Sequence, residues 1–203
     1  MNTSMVAAPY PVRLTIDYTD GPRNRVTTAF RAVLAIPIMV LVCLISWGRS
    51  SGVLTAPVAL MVLFRRKYPR WWFEWHLHLE RFETRAFAYA LLLQDHYPSA
   101  DEEDGEPQNI HLDMDYPDAG RDLNRWLPLV KWLLVLPHVI VLAVLLVGVV
   151  FATIVSWFAI LFTGRHPRAL FHYVVGVLRW CSRVTGYAST LVTDQYPPFR
   201  LAP

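Results

Sequence analysis

A chain of 203 residues that is 54% hydrophobic and 13% aromatic but only 17% charged is too apolar for an ordinary soluble domain. Between Arg31 and Arg65 the one charge is Arg49, and between Lys131 and Arg165 there is none; a core of this size accommodates one such stretch but not two, so both read as membrane segments. The net charge of +3 rests on 19 basic residues, all arginine except Lys67 and Lys131; they flank the apolar stretches instead of covering one soluble face, which argues against nucleic acid as a partner and suits an anionic lipid surface.

The first nine residues lack a basic start and an apolar run, so the N-terminus is expected in the cytoplasm. Residues 12–18 alternate, with Val12, Leu14 and Ile16 on one side and Arg13, Thr15 and Asp17 on the other, which predicts a half-buried strand. A hydrophobic helical hairpin follows over 26–64. Its arms, 26–47 and 53–64, are separated by Ser46-Trp-Gly-Arg-Ser-Ser-Gly52, since Arg49 at the centre of one long apolar helix would be costly and the small residues favour a turn. An amphipathic helix over 71–94 comes next, its apolar face carrying Trp72, Trp75, Leu79, Phe82, Ala86, Tyr89 and Leu93.

Residues 99–108 hold Asp101, Glu102, Glu103, Asp104 and Glu106 and read as a solvated acidic linker; consecutive carboxylates are wrong for a cation cage. Beyond it the pattern returns at an offset of about 98 to 100 residues, the mark of a duplicated unit. Val12-Arg-Leu-Thr-Ile-Asp-Tyr18 matches Ile110-His-Leu-Asp-Met-Asp-Tyr116, and Asp95-His-Tyr-Pro98 matches Asp194-Gln-Tyr-Pro197. The expected domains are a first repeat over 1–98 and a second over 109–203, with strand 110–116, hairpin 127–162 turning at Gly148, and amphipathic helix 169–192. Pro37 and Pro137 recur early in the first arm of each hairpin, where they are expected to kink it. The two strands can pair with each other or with another protein.

The segments Arg125-Trp-Leu-Pro-Leu-Val-Lys-Trp-Leu-Leu134, Trp157-Phe-Ala-Ile-Leu-Phe-Thr-Gly-Arg-His-Pro-Arg168, Val174-Val-Gly-Val-Leu-Arg-Trp180 and Thr193-Asp-Gln-Tyr-Pro-Pro-Phe199 resemble the DUF4389 family of bacterial membrane proteins. The first half resembles it as a degenerate copy, with Arg65-Arg-Lys67 where Thr163-Gly-Arg165 stands in the second. The resemblance implies an architecture and supplies no catalytic residue.

Candidate binding residues follow from charge and aromatic placement. Arg65, Arg66, Lys67 and Arg70 after the first hairpin, and Arg165 and Arg168 after the second, form a basic belt suited to anionic headgroups. Trp71, Trp72, Trp75, Trp126, Trp132 and Trp180 are the expected interfacial anchors. Basic residues on both sides of each hairpin predict a multi-pass protein of the bacterial inner membrane with both termini and the linker cytoplasmic. Cys43 and Cys181 lie in apolar surroundings far from one another, and His76 and His78 project apart on a helix. No triad, phosphate loop or metal motif is present in the sequence, and no cofactor is expected. His138 reads as an interfacial hydrogen-bonding residue, and Asp17, Asp115, Asp95 and Asp194 as turn residues or partners of arginine. A non-enzymatic accessory or scaffold subunit, holding a partner complex or anionic lipid, is the function expected first. The alternatives are a transport or channel component and a lipid-acting enzyme using Asp17 or Asp115.

Overall fold

The structure, a computed structural model, describes residues 10–50, 52–98 and 109–202; the acidic linker lies outside the described residues. It is mostly helical with a two-stranded sheet. Strands β1 (Val12–Ile16) and β2 (Ile110–Met114) pair antiparallel about Leu14 and Leu112. Both bury alternate residues, as the sequence pattern requires, because one face of each packs on helices and the other meets solvent. The ladder continues through Asp17 N–H to Asn109 O and Asp115 N–H to Pro11 O, so the carbonyls of Leu14 and Leu112 point outward to the two open edges. Each is capped by a guanidinium, Arg179 Nε at 3.0 Å from Leu14 O and Arg81 Nε at 2.9 Å from Leu112 O. Capped carbonyls blunt the edges against a further strand.

The sheet lies on two amphipathic helices, α5 (Arg70–Ala90) and α8 (Arg168–Ala188). α8 packs on β1 and α5 on β2, so each strand is covered by the helix from the far half of the chain. Val12, Leu14, Ile16, Ile110, Leu112 and Met114 form one core with Phe73, Phe171, Val174 and Val177. On the opposite side of α5 and α8 lies a third layer of apolar helices. In chain order these are α1 (Arg25–Ala29), α2 (Arg31–Leu34), α3 (Ile36–Ser50) and α4 (Ala56–Arg65), then α6 (Pro128–Leu134) and α7 (Leu136–Thr163). α3 packs on α5 and α7 on α8. The helices break at Ala35 and Val135, just ahead of Pro37 and Pro137, where a missing N–H makes a new helix start the cheaper solution.

The second hairpin expected at Gly148 is not formed. α7 runs unbroken for 28 residues through that glycine. A lone glycine inside a run of Val, Leu and Ala costs a helix only about 1 kcal/mol, too little to open a turn without polar or turn-forming neighbours. Gly148 instead gives room to the Tyr173 hydroxyl, which donates to Leu145 O at 2.9 Å where any side chain at 148 would collide with it. The first apolar stretch does break, between α3 and α4, with Gly52 at φ 77°. The strands are two residues shorter than expected at their C-terminal ends, and the amphipathic helices end at Ala90 and Ala188, where Leu92 and Leu191 turn the chain with positive φ.

α4 and α7 both close with a left-handed residue, Arg66 at φ 49° and Gly164 at φ 74°. An L side chain in that region is strained by about 1–2 kcal/mol and glycine is not. Arg66→Gly is therefore expected to stabilise the protein by roughly 1 kcal/mol, read as a rise in thermal midpoint in detergent; no rise would mean the Arg66 side chain makes a compensating contact.

Candidate membrane-facing site

The apolar layer leaves an extensive hydrophobic surface uncovered. α7 buries one stripe, His138, Leu142, Val149, Ala152, Ser156 and Ile160, against its neighbours. Much of the rest of its circumference, including Val144, Val147 and Phe151, is exposed, as are Phe30, Val33, Val40, Leu44 and Trp47 of the first half. Contiguous apolar exposure on this scale marks a surface made for lipid or protein. Among the described residues α7 is the one helix long and apolar enough to cross a membrane.

Each residue of the expected basic belt, Arg65, Arg66, Lys67, Arg70, Arg165 and Arg168, is exposed. Arg70 pairs with Glu74 at 3.2 Å and lies over the Tyr116 ring at 5.8 Å. Arg168 pairs with Asp20 and lies over the Tyr18 ring at 5.2 Å. Two further arginines reach the ends of α7 and α4 from the opposite half of the chain. Arg25 rests against Gly164, at the end of α7, and Arg125 donates to Leu63 O near the end of α4 at 3.1 Å. Cations at helix C-termini suit the dipole and satisfy terminal carbonyls, so part of this arrangement is structural.

Of the expected anchors, Trp71, Trp75, Trp126 and Trp132 are exposed and Trp72 is half-buried. Trp180 is inside, at 5% exposure, with its indole N–H donating to His138 Nδ1 at 3.0 Å. The apolar face of α8 that carries it is turned onto α7 instead of toward headgroups. His138 is likewise fully buried and stacks on Phe199 at 4.0 Å between ring centroids, an internal packing residue and not an interfacial one.

The same ion cage is built twice. Arg31, 2% exposed, donates to Asp95 Oδ1 at 2.6 Å and to Gln94 O at 2.7 Å, and its guanidinium lies 4.2 Å from the Tyr89 ring centroid. Lys131, 1% exposed, meets Asp194 Oδ1 at 2.7 Å and Thr193 O at 2.7 Å, with Nζ 4.8 Å from the Tyr187 ring. Asp95 and Asp194 also accept from the backbone N–H groups of Asn24 and Asn124. Each cage ties the start of an apolar segment to the tail of an amphipathic helix.

A third charged cluster was missed in the sequence. Arg49 reaches back to α5, where it pairs with Glu80, and with Glu83 at 3.0 Å. The end of α3 therefore lies against the middle of α5, whereas the expected hairpin carried Arg49 to the far side of the membrane from that helix. The signal was a lone arginine in an apolar stretch followed by two acids three apart on one helix face. Burial pushes Glu80 up to about 7, against the lowering effect of Arg49 and with help from Glu83, and burial raises Glu83 as well. His76, one turn before Glu80, is held down to about 4 by burial and by Arg49, so it is neutral at physiological pH.

Asp115 forms a two-pronged pair with Arg13, at 2.7 and 2.9 Å, on the solvent face of the sheet. Among the described residues no group of three or more His, Cys, Asp or Glu is arranged to hold a metal. No curated protein and no solved structure matches the chain. The resemblance carried by the second half is found again in a family comparison: residues 125–200 match the model of DUF4389, a domain of unknown function.

Proposed function

We propose that this is a non-enzymatic membrane protein of the bacterial inner membrane, an accessory or scaffold subunit. Its apolar helix layer sits in lipid, and its sheet and amphipathic helices form a cytoplasmic cap that holds anionic lipid and a partner complex. The observation that carries the reading is the two-sidedness of the molecule. One outer layer exposes Val33, Val40, Leu44, Val144, Val147 and Phe151, and the other exposes the Arg13–Asp115 pair and Asp113. Twice-built contacts, the cages of Arg31 with Asp95 and Lys131 with Asp194 and the caps that Arg81 and Arg179 place on the strand of the other half, support descent from a duplicated unit. The exposed basic residues Arg25, Arg65, Arg66, Lys67 and Arg165 ring the apolar layer and each can contribute about 1 kcal/mol toward an anionic leaflet.

Two measurements test this. The protein should stay in the membrane fraction through an alkaline carbonate wash, and release into the supernatant would end the membrane reading. Purified in mild detergent at native expression, it should co-migrate with a defined set of proteins; a lone monomer would end the scaffold reading.

A further inference from the structure

The layer order carries a consequence for how the protein meets the bilayer, and it deepens the membrane reading on which it rests. We infer that the apolar layer lies in the plane of one leaflet, with α7 running along the membrane surface and not across the bilayer.

α7 is ~42 Å long, against ~30 Å of hydrocarbon, so its length alone allows a crossing. Its neighbours do not. α8 runs along it, with Trp180 bonded to His138 at 3.0 Å and Tyr173 to Leu145 O at 2.9 Å, so α8 sits beside the first half of α7 and not beyond its end. The opposite face of α8 packs on β1 and sends Arg179 to Leu14 O, while Arg183 donates to the carbonyls of Arg200 at 3.2 Å and Ala202 at 2.8 Å. Were α7 to cross, this arginine-rich cap and the open-edged sheet would be carried to hydrocarbon depth, with Arg13, Asp113 and Asp115 turned toward acyl chains. A bilayer core tolerates neither open strands nor exposed ion pairs.

The two ends of α7 are also chemically alike. Near its start stand Arg125 and the Lys131–Asp194 cage, and at its end Arg25, Arg165 and the Arg23 backbone N–H on Gly164 O at 2.9 Å. An antiparallel strand pair is related by a twofold perpendicular to the sheet, and both strands turn the same face to the helices. Both apolar segments therefore lie on one side of the cap, and because Arg25 of the first half meets the end of α7 while Arg125 of the second meets the end of α4, each segment ends at the level where the other begins. The first apolar segment repeats the arrangement, since Arg49 near the end of α3 is held by Glu80 and Glu83 of α5 within that same cap. A helix apolar around most of its circumference, flanked by arginines and backed by a polar layer, is what an interfacial element needs. The partner is one leaflet rich in anionic lipid.

The test uses the full chain with Cys43→Ala and Cys181→Ala and one new cysteine at a time, Arg121→Cys, Val147→Cys or Arg165→Cys. The three positions are exposed, so each variant is expected to fold. An impermeant maleimide is applied to spheroplasts and to inverted membrane vesicles. The expected result is labelling of residues 121 and 165 from the same side and of residue 147 from neither. Labelling of 121 and 165 from opposite sides would mean that α7 crosses, and labelling of 147 from the side opposite to both would restore a hairpin; either overturns the inference. A protein that leaves the membrane in the carbonate wash fails the membrane reading itself, a separate result.

Discussion

Replacing Lys131 with methionine is expected to destabilise the protein by about 3–5 kcal/mol, the range seen when one partner of a buried ion pair is removed. Lys131 is 1% exposed, and its ammonium donates to Thr193 O and forms an ion pair with Asp194 Oδ1 while lying against the Tyr187 ring. Methionine keeps the length of the stem and strands the carboxylate. Thermal unfolding in mild detergent measures the loss, and Lys131→Met with Asp194→Asn should recover a large part of it, because the unpaired charge goes too. Arg31→Met in the equivalent cage should cost less, since Arg23 remains 3.7 Å from Asp95 to share its charge. Equal losses at the two cages would show that Arg23 contributes nothing.

Arg49→Met should be comparably severe, and its severity should depend on pH. The arginine is the cation facing Glu80 and Glu83, whose side chains are each 6% exposed. In the native protein Glu80 titrates near 7, above its ordinary 4.5, so the folded state binds this proton more tightly than the unfolded state. The stabilisation from that proton is complete below about 4.5 and is lost as pH rises through about 7. Without Arg49 both carboxylates can escape only by protonation. The variant should therefore lose little at pH 5 and about 3–5 kcal/mol at pH 8, a steeper slope than the wild type. Adding Glu80→Gln and Glu83→Gln should flatten the profile. A pH-independent loss in Arg49→Met would mean that the arginine acts through packing of its stem and not through its charge.

Much of the strand architecture was legible because alternation over Val12, Leu14 and Ile16 has one physical meaning, a face to bury. The recurrence of Asp95 and Asp194 at matching places was also visible, but their partners were not, since Arg31 and Lys131 read equally well as topology signals beside apolar runs. Gly148 misled for the opposite reason. A glycine in the middle of the apolar run suggested a turn there, yet what breaks the first segment is a polar run ending in Gly52, and α7 has no such run. Trp180 illustrates a general limit. Helical periodicity identifies an apolar face but not what covers it, and here the cover is α7 and His138. The Arg49 cluster joins elements about 30 residues apart through a reversal of the chain, which no local pattern encodes.

The exchange of covers between the halves sets an order of events during synthesis. α3 can dock on α5 as soon as the first half emerges, but β1 waits for β2, nearly a hundred residues later, and for α8, whose Arg179 caps Leu14 O. Until the C-terminal helix is released, β1 lacks its covering helix and its Arg179 cap, and the apolar layers lack a finished cap. Such long sequence separation makes for slow folding and prolonged exposure of sticky surface. A chain stopped after residue 98 is then not half of this protein: it lacks β2, the Arg179 cap and α8, and its β1 is left as an unpaired strand available to any neighbour.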